Sequence, residues 1–204
     1  MAKLISIKSP YLLFSLSFSF ALIIYIVYAY RNYGKELFRQ FRHIPVKYFL
    51  IGLSGYYAVW VGNTESFRAF DSASETTVLN YTWLIFTVFF TETIFRRKKQ
   101  LNLKSIIEYT GVFAAFVSVY VLAVKGRWGQ FDIGNVEGIF WGLFGGMAYG
   151  FFSAYSGTIP KKKQPVFLIS AILSGLLAML LTSYFTSGNL IAQAKQLTDR
   201  KSVV

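Results

Sequence analysis

The sequence predicts an all-α polytopic transmembrane bundle of six helices, and three observations predict it. The chain is 54% hydrophobic and only 15% charged, too little polar surface to coat a 204-residue globule in water. Its apolar residues gather into six charge-poor runs, each near the length of about 20 residues that crosses a hydrocarbon core of roughly 30 Å. The basic excess that gives a net charge of +12 lies between those runs. Membrane topology accounts for that placement better than nucleic-acid binding does.

The runs, in order, are Pro10–Tyr30, Tyr48–Asn63, Thr76–Thr91, Tyr109–Val124, Gly138–Ile159 and Val166–Phe185. A single 16-residue run could be a buried helix of a soluble protein; six in one chain of this length could not. The connection after the first run holds Arg31, Lys35, Arg39, Arg42 and Lys47. The third and fifth are followed by Arg96–Lys99 with Lys104, and by Lys161–Lys163. These 13 basic residues share one side of the membrane and the other 8 share the opposite side. Basic loops stay cytoplasmic, so both chain ends are expected outside.

A basic N-terminus carrying Lys3 and Lys8 ordinarily stays inside. A cleaved signal peptide does not resolve this, because the first run is long for one and ends in AYRNYGKE rather than in small residues. The expectation is a bundle that lacks one preceding helix.

At an offset of 155, PYLLFSLSFSFAL aligns with PVFLISAILSGLL, matching Pro10 with Pro165, Ser15 with Ser170 and Ser19 with Ser174. The first and sixth helices cross the membrane in opposite directions, so the match reads as an inverted-topology repeat of five plus five helices. On that reading residues 1–127 supply helices two to five of the first repeat, residues 128–189 supply the first two of the second, and residues 190–204 form a polar tail.

Three helices carry candidate functional faces. In the third run Thr76, Asn80, Trp83, Thr87 and Thr91 fall within a sector of about 80° on a regular helix, while Val78, Ile85 and Phe89 face lipid. Threonines on such a face can serve helix packing as well as a ligand. Asn80 joins a donor and an acceptor, and Trp83 offers a flat apolar face with one N–H, so the pair suits a small amphipathic solute. In the second run Gly52, Gly55, Tyr56, Val59 and Asn63 share a face with Trp60 at its edge; Trp60 suits a ligand contact or an interfacial aromatic belt equally. In the fifth, Gly138, Gly142, Gly146 and Gly150 recur every four residues beside Gly145, a helix-packing seam with Trp141 and Tyr149 on its flanks.

Glu92 reads as a local ion-pair partner of Arg96, and Glu108 and Glu137 as residues of helix starts. Without cysteine, with the single histidine His43 and with no paired carboxylates in the runs, the chain shows no apparatus for catalysis, metal or cofactor.

The passage DSASETTVLNYTWLIFTVFFTETIFRRKKQLNLKSIIEYTGVFAAFVSVYVL resembles EamA-type members of the drug/metabolite transporter superfamily. There a segment like SASEAALLNYLWPLFTVLLS forms the fourth helix, a Glu in a G-E-R-L-like element closes it, and the next helix carries G-V-x-L-L. The counterparts here are Ser72–Ser74, Asn80–Trp83, Phe86–Thr87, Glu92 and Gly111–Val112, and the N-Y-x-W element is similar to the branch of aromatic amino acid exporters. Thr82 and Leu84 replace the L-W-P spelling, so no proline kink is expected.

The resemblance implies a ten-helix carrier of small metabolites such as amino acids in the cell (inner) membrane, working by alternating access. This chain would hold the family's second to seventh helices and would take the absent ones from another chain or from self-association. Asn80, Trp83 and Thr87 would face the solute, with Tyr56, Trp60, Trp141 and Tyr149 around it; a non-transporting membrane fragment or assembly subunit is the alternative. Its expected partners are the bilayer and a small solute, not nucleic acid.

Overall fold

A computed structural model describes residues 10–42, 44–71, 73–95, 103–123 and 134–187. Among them the chain is helical throughout, without strands. Expectations placed on Lys3, Lys8, His43, Ser72, Arg96–Lys99, Lys125, Arg127 and the polar tail lie outside the described residues.

The helices are α1 (Pro10–Tyr33), α2 (Lys35–Phe41), α3 (Val46–Gly52), α4 (Val59–Phe70), α5 (Ala73–Asn80), α6 (Trp83–Thr93), α7 (Leu103–Ala123), α8 (Val136–Ser156) and α9 (Gln164–Ser187). A π-helical segment, Leu53–Ala58, joins α3 to α4, and a 3₁₀ turn, Lys161–Lys163, precedes α9. Every proline stands at a helix start, where its missing N–H costs nothing: Pro10 opens α1, Pro45 caps α3, Pro160 precedes the 3₁₀ turn and Pro165 lies in the first turn of α9.

The described parts of all six apolar runs are thus mainly helical, but among the described residues two segments, Tyr11–Tyr33 with 23 residues and Lys161–Thr186 with 26, are long and apolar enough on their own to cross a membrane. Of the others, the second is bent from the preceding α2, the third is broken at Tyr81–Thr82, and α7 and α8, at 21 residues each, do not reach the same combination of length and apolarity. The basic connection after α1 also folds: Leu37 of α2 is 2% exposed and packs with Ala29, Val166 and Ile169.

The chain divides into two units. The first comprises the described parts of Met1–Leu53 and Pro165–Val204. Here α3 lies against α9, with Tyr48 edge-on to Phe167 at 5.1 Å, and Gly52 so close to Ala171 and Ser174 that a Cβ would strike both. The serines matched in the repeat alignment, Ser15 and Ser170, are both buried and both donate to carbonyls of their own helix. On α1 Phe20, Ile23, Ile24 and Val27 are more than half exposed, an apolar surface suited to lipid.

The second unit, Ser54–Gln164, is organised around α8, against which α4, α5 and α6 all pack; α7 meets α5 and α6. Asp71, at φ 50°, turns the chain from α4 to α5. Asn135 ties the start of α8 to the end of α4: its side chain accepts from Gly138 N–H at 2.9 Å and donates to the Ala69 carbonyl at 2.6 Å. Ser66, fully buried, donates to the Gly138 carbonyl at 2.9 Å.

Candidate functional site

The candidate residues Tyr56, Trp60, Asn80, Trp83, Thr87, Trp141 and Tyr149 all belong to the second unit, and its glycines decide how closely their helices approach. The seam of α8 is fully used within the chain. A Cβ at Gly138 would meet the Phe70 ring at 2.5 Å, at Gly142 the Leu79 Cβ at 2.6 Å, and at Gly150 the Phe86 Cβ at 2.5 Å; at Gly146 it would collide with the Thr82 hydroxyl. On the flank, Gly145 faces Gly62 of α4, whose Cβ would lie 2.7 Å from main-chain atoms of Gly145 and Trp141. Bare backbone on α8 is therefore what admits α4, α5 and α6 to contact.

The polar face of residues 76–91 does not run along one helix. The ladder breaks at Tyr81–Thr82, between α5 and α6, with no proline involved. Both the Thr82 N–H, at 3.1 Å, and the Thr82 hydroxyl, at 2.5 Å, donate to the Leu79 carbonyl, and Leu84 N–H turns to Tyr81 at 3.2 Å. These i−3 bonds tighten the turn, the competition that a threonine side chain offers to the helical ladder. Leu84 N–H is thereby lost to the Asn80 carbonyl. The break also uncouples the phases of the two helices: Ile85 and Phe89 are exposed as expected, but Val78, expected to face lipid, is 4% exposed.

The threonines serve the helices. Thr87 donates to Trp83 O at 2.8 Å, with Gly150 O at 3.4 Å across the interface, and Thr91 donates to Thr87 O at 2.7 Å. Each hydroxyl has one proton, so Thr87 keeps only acceptor capacity for a ligand.

Aromatic contacts join three candidates. Trp83 stands edge-on to Tyr149 at 5.1 Å and 77°, Tyr149 stacks on Phe152 at 6.1 Å, and Phe152 meets Tyr56 edge-on at 5.4 Å. Phe152, which the sequence did not single out, is the link; its ring lies against Gly55 in the π-helical segment. That segment carries an extra residue per turn and sets the phase at Tyr56, and π-bulges recur at functional sites. Trp60 lies half-buried one turn beyond Tyr56. Trp141 does not join the cluster: its ring meets Phe140 at 5.3 Å and Phe144 at 5.9 Å on its own helix.

Among the described residues the Asn80 Oδ1 is buried without a donor. Asn63 Oδ1 shares that condition. Aromatic faces beside unspent polar atoms can hold a solute that is apolar in body and polar at one end.

No family model, no curated protein and no solved structure matches this chain.

Proposed function

We propose that the chain is a multi-pass carrier of small amphipathic metabolites in the cell membrane, with its six apolar runs as six transmembrane helices of an inverted repeat. The observation that carries this reading is the buried, donorless Asn80 Oδ1 at the break between α5 and α6, with Trp83 beginning the next helix against Tyr149. Interrupted helices in a membrane free main-chain and side-chain groups at mid-depth, and such groups bind solutes in carriers. The π-helical segment opposite, with Tyr56 on Phe152, is a second irregular backbone site of the kind that accommodates motion. The resemblance to EamA-type carriers agrees with this and supplies the expected solutes, small metabolites such as amino acids.

A glycine seam kept for assembly would favour the subunit reading. The seam is instead occupied by α4, α5 and α6 of the same chain, which weakens that reading.

The test is export or uptake by the purified chain in liposomes. Asn80→Leu should abolish flux while leaving the amount of folded protein unchanged, because removing an unpaired acceptor forfeits no hydrogen bond. A variant that instead lowers the yield of folded protein makes Asn80 structural.

A further inference from the structure

Two amide oxygens in the second unit are buried without a donor, Asn63 Oδ1 on α4 and Asn80 Oδ1 at the end of α5. Each such group costs about 1–3 kcal/mol if nothing meets it. They stand at one level of the unit. Over Gly142 the two helices converge, since a Cβ there would lie 2.6 Å from Leu79 Cβ and 3.0 Å from Ser66 Oγ. Because α4 and α5 run antiparallel about the Asp71 turn, stepping back one turn from Ser66 to Asn63 and forward from Leu79 to Asn80 leads the same way. The next glycines confirm it: a Cβ on Gly145 would be 3.6 Å from Asn63 N, and one on Gly146 would be 3.2 Å from Asn80 O. Passing through the 3.8 Å step between those two Cα atoms, the Asn63 and Asn80 main chains are no more than about 14 Å apart, within range of two side chains that reach toward each other.

The charged residues of the helices that meet here, α4, α5, α6 and α8, are mostly acidic. α5, α6 and α8 contain no Lys or Arg, and their charged residues are Glu75, Glu92 and Glu137. On α4, Arg68 is held by Glu65 at 2.7 Å. Neutral oxygens without donors, beside mostly acidic side chains, suit a group that brings positive charge and keeps part of its water, since amide and carbonyl oxygens stand in for hydration oxygens.

We propose that Asn63 and Asn80 together hold one small monocation, either the ammonium head of the carried solute or a free alkali ion. The inference rests on reading Asn80 as a solute-facing group and makes Asn63 its partner.

The test measures the thermal unfolding midpoint of the full chain in detergent at equal concentrations of NaCl, KCl, methylammonium chloride and N-methylglucamine chloride, whose cation is too bulky for two amide oxygens to enclose. At least one of the three small cations should raise the midpoint saturably above the N-methylglucamine value. A response to methylammonium alone identifies the solute head as the occupant; a response to Na⁺ or K⁺ identifies a free ion. Asn63→Leu and Asn80→Leu should each erase the response and leave the N-methylglucamine midpoint unchanged or higher. Asn63→Asp, which keeps the shape and adds charge, should tighten the apparent affinity by about tenfold. The proposal is overturned by a wild-type midpoint equal in all four salts, by a response that survives either leucine variant, or by an aspartate variant that binds no tighter. Flux measured on the same protein separates the two ideas: flux without a cation response refutes the cation site alone, and a cation response without flux refutes the carrier reading alone.

Discussion

Gly62 and Gly145 face each other across the contact between α4 and α8, and adding one methyl to either should give opposite results. A Cβ on Gly62 would lie 2.7 Å from Gly145 Cα, Gly145 N and Trp141 O. All three are main-chain atoms, so no rotamer change relieves the clash and the helices must separate. Overpacking of this kind costs about 1–3 kcal/mol, and a rigid obstacle belongs at the upper end. Against it stands about 1 kcal/mol of helix propensity gained by Ala over Gly. Gly62→Ala should therefore lose about 2 kcal/mol. A Cβ on Gly145 points instead to Val59 O at 3.2 Å, Gly62 Cα at 3.5 Å and Asn63 N at 3.6 Å, distances that small shifts absorb. Gly145→Ala should be neutral or gain up to about 1 kcal/mol. For a chain of this size each kcal/mol moves the midpoint by about 2–4 °C, so the two variants should differ by roughly 4–12 °C in thermal unfolding in detergent. Equal midpoints, or a costlier Gly145→Ala, would refute the packing described for α4 on α8.

Asn135→Ala removes a helix cap and a tie to the Ala69 carbonyl together, and should cost about 1–2 kcal/mol in the same unfolding assay. Ser66→Ala removes the interhelical hydrogen bond that its buried hydroxyl donates to the Gly138 carbonyl, and should lose about 1 kcal/mol. Glu36→Gln breaks an exposed pair with Arg39, 3.0 Å long, and should leave the midpoint unchanged within about 0.5 kcal/mol; a larger loss would mean that α2 depends on that charge. Trp83→Ala should reduce flux in liposomes far more than Trp141→Ala, because the Trp83 ring meets Tyr149 and the Trp141 ring meets Phe140 and Phe144 of its own helix.

The features readable in the sequence are those set by composition and by single residues. Long charge-poor runs announced the helices, and the four-residue recurrence from Gly138 to Gly150 announced the face of α8 that others approach. Asn80 was conspicuous because an amide deep in an apolar run has few structural excuses. What escaped was whatever depends on a change of helical phase. The break at Tyr81–Thr82 has no proline to mark it and arises from a threonine that spends both donors on one carbonyl, so Val78 could not be assigned to the buried side. The π-helical segment has only Gly55 as a trace, and the Phe152 ring seated against it is distant in sequence. Asn63 was visible on its face, but only three-dimensional packing shows that its oxygen lacks a donor. The fold of α2 inside a basic connection was masked by its charges, although Leu37 is what anchors it.

The central claim is that Trp83, Tyr149 and Asn80 face a solute rather than lipid or packed protein, and thiol labelling tests it directly because the chain contains no cysteine. Tyr149→Cys and Phe89→Cys, each introduced singly, would be exposed in membranes to a water-soluble maleimide. Phe89 is 54% exposed on the outer side of α6, so its substituted thiol should stay unreactive in lipid. The thiol at position 149 should react, and an amphipathic solute that the chain carries should slow that reaction. Equal reactivity at the two positions, or labelling at position 149 that no solute slows, would contradict the account.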